Sequence, residues 1–325
     1  MRKRTKLLWI GAGLGIGLIA WKMLSRTDRI DWEKVQDFVH HRENSRFIDV
    51  DGVRIHYQQF GENYPQTILL IHGYGSSTLV WKTVAPMFAE RGFNVVAIDM
   101  VGFGFSEKPA WFEYTIESQA RMIVRFMNRL SIGKATVVGS SYGGAVAISL
   151  ALDYPERVEK LVLVGTVCNN EPLSHPLMKI AQVPLIGEIA TAFLIDAKPF
   201  IRSRMRTSIA PVNHDLITEE RIHRVRIPLM TKDAHKATLK TARKWDAERI
   251  ERDAHLISQP TLIIWGEDDK VISIKNAYKL YDSILHSKLV VFKNCGHIPQ
   301  EEKPNDFVEI VTSFVKKIAN KTNEC

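Results

Sequence analysis

The 325-residue chain predicts an α/β protein: a mostly parallel sheet flanked by helices, interrupted by an inserted helical cap and preceded by a transmembrane helix. Three observations carry this. Short runs of Ile, Val and Leu alternate with helical stretches. Those runs lack polar alternation, as strands covered on both faces do. From Asn170 to Ser258 the strand-like runs stop, and then they resume, which is how an insertion into a sheet looks. With 45% hydrophobic and 25% charged residues, the composition is ordinary for a globular chain.

The first element is the tail. Residues 1–30 hold seven Lys/Arg against Asp28, and most of the net charge of +8 belongs to them. From Leu7 to Leu24 the only charge is Lys22. Eighteen residues at about 1.5 Å each span about 27 Å, enough for a hydrocarbon core. Trp9 and Trp21 sit near its two ends, where indoles favour the interface. A cleaved signal peptide and a buried helix are the alternatives, and Trp21-Lys22-Met23-Leu24-Ser25 makes a poor cleavage site. More positive charge precedes the run than follows it, so the N-terminus is expected in the cytoplasm and the catalytic domain across the membrane. No basic stripe interleaved with aromatics appears, which argues against nucleic acid as a partner.

The core is expected over residues 31–169 and 259–325, with the cap at 170–258. Arg46–Val50, Asp51-Gly52 and Val53–Gln59 read as a β-hairpin. Strands follow at Ile68–Ile71, Val95–Ile98, Ala135–Val138 and Val158–Val164, separated by helices at Leu79–Glu90, Ile116–Leu130 and Tyr142–Leu152. After the cap come the strand Thr261–Trp265, the helix Ile274–Tyr281, the strand Lys288–Phe292 and the helix Asp306–Ile318. Within the cap, Lys198 to Arg252 holds fourteen Lys/Arg against seven Asp/Glu. Solvated helix faces or a contact with anionic lipid both fit that excess.

Reactive residue types gather where strands end. Gly139-Ser140-Ser141-Tyr142-Gly143-Gly144 follows a strand and opens a helix, the context a nucleophile elbow needs. Glycines two before and two after select Ser141 over Ser140. His72-Gly73-Tyr74-Gly75 follows an earlier strand, so the backbone N–H groups of Tyr74 and Tyr142 are candidates for an oxyanion hole. His72 itself reads as a brace for that loop. Glu267-Asp268-Asp269 and Asn294-Cys295-Gly296-His297 end two late strands, placing an acid and a histidine in the order Ser…Asp…His. Cys168, Cys295 and Cys325 show neither a disulfide framework nor metal spacing. No cofactor or metal is implied.

At these residues the chain resembles the α/β-hydrolase superfamily, in the branch of esterases, lipases and C–C hydrolases. Asp99-Met100-Val101-Gly102-Phe103-Gly104-Phe105-Ser106 is similar to its D-x-x-G-x-G-x-S loop. Gly296-His297-Ile298-Pro299, with Glu302 and Pro304, resembles its G-H-x-P-x-x-E-x-P ending, and Trp265-Gly266-x-x-Asp269 its acid motif. The resemblance runs from Arg46 to Ile318 and implies the α/β-hydrolase fold. It also implies Ser141 as nucleophile, His297 as general base and Asp269 as the acid that orients it. A serine nucleophile argues against dehalogenases and epoxide hydrolases, which place Asp there.

The favoured expectation is a membrane-tethered esterase or lipase acting on a small-molecule or lipid ester through an acyl-enzyme. The alternatives are the same triad used on another bond, in a C–C hydrolase, a cofactor-free peroxidase or an amidase, and a non-enzymatic ligand sensor.

Overall fold

In the computed structural model, which describes residues 31–316 and Gly17, eight strands form one sheet. In chain order they are β1 (Ser45–Val50), β2 (Val53–Phe60), β3 (Thr67–Ile71), β4 (Asn94–Ile98), β5 (Ala135–Ser140), β6 (Val158–Val164), β7 (Thr261–Gly266) and β8 (Ser287–Phe292). Their order across the sheet is β1-β2-β4-β3-β5-β6-β7-β8. The hairpin partners β1 and β2 are antiparallel, as are β2 and β4, and every pair from β4 to β8 is parallel.

Alternate side chains feed two cores, as strands buried on both faces require. Leu69 and Ile71 enter one apolar cluster with Tyr142, Val146 and Trp265; Ile68 and Leu70 enter the other with Trp81, Phe88 and Phe307. Each such Ile or Leu contributes about 1.5–3 kcal/mol by leaving water. The covering helices are α1 (Val84–Glu90), α2 (Ile116–Arg129) and α3 (Tyr142–Asp153). One expected element differs: the helix starting at Leu79 is a 3₁₀ turn, Thr78–Trp81, followed by α1. Pro86 explains the break. It has no N–H to donate and sits in the first turn of α1, the part of a helix that tolerates it.

Between β6 and β7 the chain leaves the sheet for α4 (Pro176–Gln182), α5 (Ile186–Leu194), α6 (Lys198–Ser208), α7 (Glu219–Leu229), α8 (Ala234–Arg243) and α9 (Glu248–Asp253). It returns to pair Leu161 with Thr261, so these helices are an excursion from neighbouring strands. Helices α10 (Lys275–Ser283) and α11 (Pro304–Lys316) complete the core. Among the described residues no helix is long and apolar enough to cross a membrane. The transmembrane helix expected within residues 1–30 lies outside the described residues, Gly17 apart.

Candidate active site

Close backbone packing builds the turn at Ser141. Its φ of 55° and ψ of −119° are unfavourable for a side chain with a Cβ, and three hydrogen bonds hold it there. The Ser141 N–H donates to the Val164 carbonyl at 2.8 Å, while its own carbonyl accepts from Gly144 at 3.0 Å and Val167 at 3.1 Å. A Cβ on Gly143 would lie 2.4 Å from the carbonyl oxygens of Ile71 and His72, so only glycine lets the turn pass this close to β3. Ser141 remains partly exposed. Ser140 is buried, and Gln300 Nε2 donates to its hydroxyl at 3.4 Å.

Strand order brings the second loop alongside. Because β3 and β5 are neighbours, with Ile71 opposite Gly139, the segments that follow them run side by side. A Cβ on Gly73 would sit 3.0 Å from the Ser141 Cβ and 3.5 Å from its Oγ. Tyr74 comes next, and its ring meets that of Tyr142 edge-on with centroids 6.5 Å apart. Tyr142 is the first residue of α3, so its N–H is one of the four that the helix itself leaves without a partner. His72 braces this loop: Nδ1 lies 2.8 Å from the Gly73 carbonyl, and Nε2 accepts from the Met100 N–H at 3.1 Å. Burial lowers its pKa, which suits a neutral ring with one donor and one acceptor.

The acid and the histidine meet across the ends of β7 and β8. Asp269 Oδ2 lies 2.8 Å from His297 Nδ1, and Oδ1 accepts from the N–H groups of Val271 at 2.8 Å and Ile272 at 3.0 Å. The Asp269 side chain is fully buried in this grip, whereas Glu267 and Asp268 are exposed. His297 also closes on the end of β6, since a Cβ on Gly165 would be 3.0 Å from its Nδ1. Ser141 is bonded to Val164 and Val167 on either side of that glycine, so serine and histidine flank the same strand end. Burial raises the thiol pKa of Cys295 and pushes that of Cys168 up to about 12, which keeps both protonated and poor nucleophiles.

Several residues with a part in this site had no reading from the sequence alone. Glu302, known only as part of a motif, ties the histidine loop to the cap: Oε1 accepts from Gly296 N at 3.0 Å, and Oε2 from Ala210 N and Asn213 Nδ2, both at 2.9 Å. Asp99 does similar work under the Tyr74 loop, accepting from Thr78 N at 2.7 Å and Phe105 N at 2.9 Å, with His56 Nδ1 at 2.7 Å. Burial alone would raise its pKa, but His56 and these donors hold it below the usual carboxylate value. The cap roofs the site through α6. The Ser208 carbonyl accepts from His297 N at 2.6 Å, and one turn earlier Arg204 reaches the opposite loop. A Cβ on Gly75 would meet Arg204 Nη1 at 3.3 Å, and Nη2 is 3.5 Å from the Tyr74 carbonyl. Surrounding protein pushes the Arg204 pKa down, yet part of the residue stays open to solvent, as for a group lining a cleft. No carboxylate pairs with it among the described residues. Nothing in the sequence separates Arg204 from the thirteen other Lys/Arg between Lys198 and Arg252; its reach depends on how α6 lies.

A family model described as the alpha/beta hydrolase fold matches residues 66–304. The chain belongs to that family. This α/β hydrolase is 29% identical to the 2-hydroxy-6-oxo-6-(2'-aminophenyl)hexa-2,4-dienoic acid hydrolase of Metapseudomonas resinovorans, over 92% of this chain and 99% of that one. It is also 29% identical to the 2-hydroxymuconate semialdehyde hydrolase of Pseudomonas sp. strain CF600, over 84% of this chain and 94% of that one. Among solved structures, a meta-cleavage product hydrolase from Pseudomonas fluorescens IP01 superposes with a TM-score of 0.70 at 28% identity, covering 85% of this chain and 99% of that chain. These findings correct the expected ester substrate. Relatives matched over nearly their whole length are named as hydrolases of a dienoic acid, a muconate semialdehyde and a meta-cleavage product, not of esters. The chain is a hydrolase, and the reading as an esterase or lipase is withdrawn.

Proposed function

We propose that this α/β hydrolase cleaves a carbon–carbon bond next to a ketone, in a substrate that also carries a carboxylate. The observation that carries the reading is the near full-length match to hydrolases named for 2-hydroxy-6-oxo-dienoates and related compounds. In this reading Ser141 attacks the ketone carbon while His297 takes its proton, and Asp269 keeps the imidazole in the receptive tautomer. The N–H groups of Tyr74 and Tyr142 take the oxyanion, and each such donor is worth about 3–4 kcal/mol of barrier.

Collapse of the tetrahedral intermediate breaks the bond to the α carbon. An unstabilised carbanion could not leave, so the 2-hydroxydiene first ketonises, its enol proton lost and a proton added at the α carbon. The carbanion is then conjugated through a double bond to the new 2-ketone, leaves as an enolate and takes the proton that His297 received from Ser141. Water deprotonated by His297 then frees the acyl group from Ser141 as a carboxylic acid. Arg204 supports the reading as a guanidinium that donates to the Tyr74 carbonyl at 3.5 Å and has no carboxylate partner among the described residues, which leaves its charge for a substrate carboxylate. The test is to follow the loss of the visible absorbance of 2-hydroxy-6-oxo-6-phenylhexa-2,4-dienoate with purified enzyme. Steady bleaching that stops when a fluorophosphonate labels Ser141 is the expected result. A chain that takes the label but leaves the dienoate intact would overturn it.

A further inference from the structure

The cap carries an apolar surface that the proposed chemistry does not use. Seventeen large hydrophobic side chains are exposed among the described residues, and eight of them fall between Leu177 and Leu194. They are Leu177, Ile180 and Val183 on or next to α4, Leu185 and Ile186 at the turn, and Ile189, Phe193 and Leu194 on α5. Leu185 forms the tip. It is 76% exposed and held at φ 65°, where glycine or asparagine would sit more easily. Glu188 is the only charged residue of α5, and a helix so apolar on its outer side is covered by something.

Charge and composition say what covers it. The two carboxylates of the hairpin and its exit are neutralised from within the cap: Arg243 holds Glu188 at 2.6 Å, and Arg226 lies 3.4 Å from Asp196. Exposed Lys179 stands on α4 and exposed Lys244 follows the arginine that holds Glu188, while Lys198 at the start of α6 lies 3.8 Å from Glu219. The residues from Lys198 to Arg252, which follow the hairpin in the chain and include the helix α8 it packs on, carry seven more positive than negative charges. Its exposed side chains are Leu, Ile, Val and Phe, without the Trp, Tyr and Arg that anchor protein partners. Apolar side chains bordered by lysines match the boundary between acyl chains and anionic headgroups.

We infer that the α4–α5 hairpin docks the cap on an anionic bilayer surface, with Leu185 and Ile186 entering the acyl region. The buried side of the same hairpin packs through Ala181 and Met178 against Leu239, Ala242 and Tyr74, so the lipid-facing surface stands one layer from the Tyr74 loop. This docking does not depend on which bond the enzyme cuts.

The experiment uses the full chain and reads depth at one position, because the apolar run Leu7–Leu24 would obscure a bulk binding assay. Leu185→Cys in a Cys325→Ser background takes an environment-sensitive fluorophore, since Cys168 and Cys295 are buried. Leu285→Cys, at a site 83% exposed on the core, is the control. With vesicles of phosphatidylglycerol and phosphatidylcholine, emission from position 185 shifts to the blue and is quenched by lipids brominated on the acyl chain, while position 285 does neither. Unchanged emission at 185 overturns the inference. A blue shift without vesicles that grows with protein concentration also overturns it, by assigning the surface to a second copy. Equal quenching on phosphatidylcholine alone overturns it too, because the anionic headgroups would then contribute nothing.

Discussion

Strands β3 to β7 bury nearly every side chain they carry, whereas α4, α5 and the turn between them leave eight large apolar side chains in solvent. Charge divides the same way. From Lys198 to Arg252 basic residues outnumber acidic ones by fourteen to seven, while the rest of residues 31–325 carries an excess of acid. The sheet therefore holds the candidate catalytic groups in a rigid frame, and the cap presents what meets the outside: an arginine above the site with no carboxylate partner among the described residues, and an apolar hairpin beyond it. A region whose contacts are all internal can fix positions to a fraction of an ångström. One with uncompensated charge and apolar surface is suited to recognition.

If that division holds, changes in the sheet remove turnover on every substrate, and changes in the cap alter which substrate is taken. The largest effect is expected from Ser141→Ala, a loss of about 10⁶ in kcat. Ser140→Ala should stay within about tenfold, because Ser140 is buried on the far side of the turn. Steady-state kinetics on the dienoate, with circular dichroism to confirm folding, decide between them. A dead Ser140→Ala would mean that the turn presents the other hydroxyl. Asp269→Asn comes next, at about 10⁴ in kcat, since the amide favours the wrong imidazole tautomer. Exposed Asp268→Asn should cost less than about tenfold, and equal losses in the two would move the acid elsewhere.

The cap's arginine sharpens the contrast. Losing a charge-assisted hydrogen bond to a carboxylate costs about 1.5–3 kcal/mol. Arg204→Ala should therefore raise KM for the dienoate by about 10–100-fold, with kcat changed little and fluorophosphonate labelling of Ser141 unchanged. A fall in kcat with constant KM would instead place the guanidinium at the reacting carbon. The smallest effect belongs to the seam between the regions. Glu302 accepts three N–H groups with two oxygens, and Glu302→Gln turns an amide NH₂ toward donors. Leaving such groups unsatisfied costs about 1–3 kcal/mol, read as a lowered midpoint in urea. An unchanged midpoint would mean that cap and core hold together without this clamp.

Much of the sheet was legible because its signals are local. The hairpin at Asp51-Gly52 and the strand Val158–Val164 each follow from periodicity and turn chemistry within a dozen residues. Candidate groups at strand ends could be named for the same reason: Ser141 by its glycines, His297 and Asp269 by the motifs around them. By composition and spacing the sequence does not separate Asp269 from the adjacent and chemically alike Asp268; only the resemblance to the family's acid motif picks Asp269 as the inward-facing one, with Asp268 exposed. That difference arises from how the chain past β7 turns, giving Asp269 Oδ1 the N–H groups of Val271 and Ile272. Nor could it single out Arg204 among fourteen basic residues of the cap, or Leu177–Leu194 as an outward face. Helical periodicity tells which residues share a side, but not whether that side meets a core or water. Only the packing of α4 and α5 against α8, and the lie of α6 across the loops at Tyr74 and His297, decided those questions, because contacts between residues far apart in the chain leave no local trace in it.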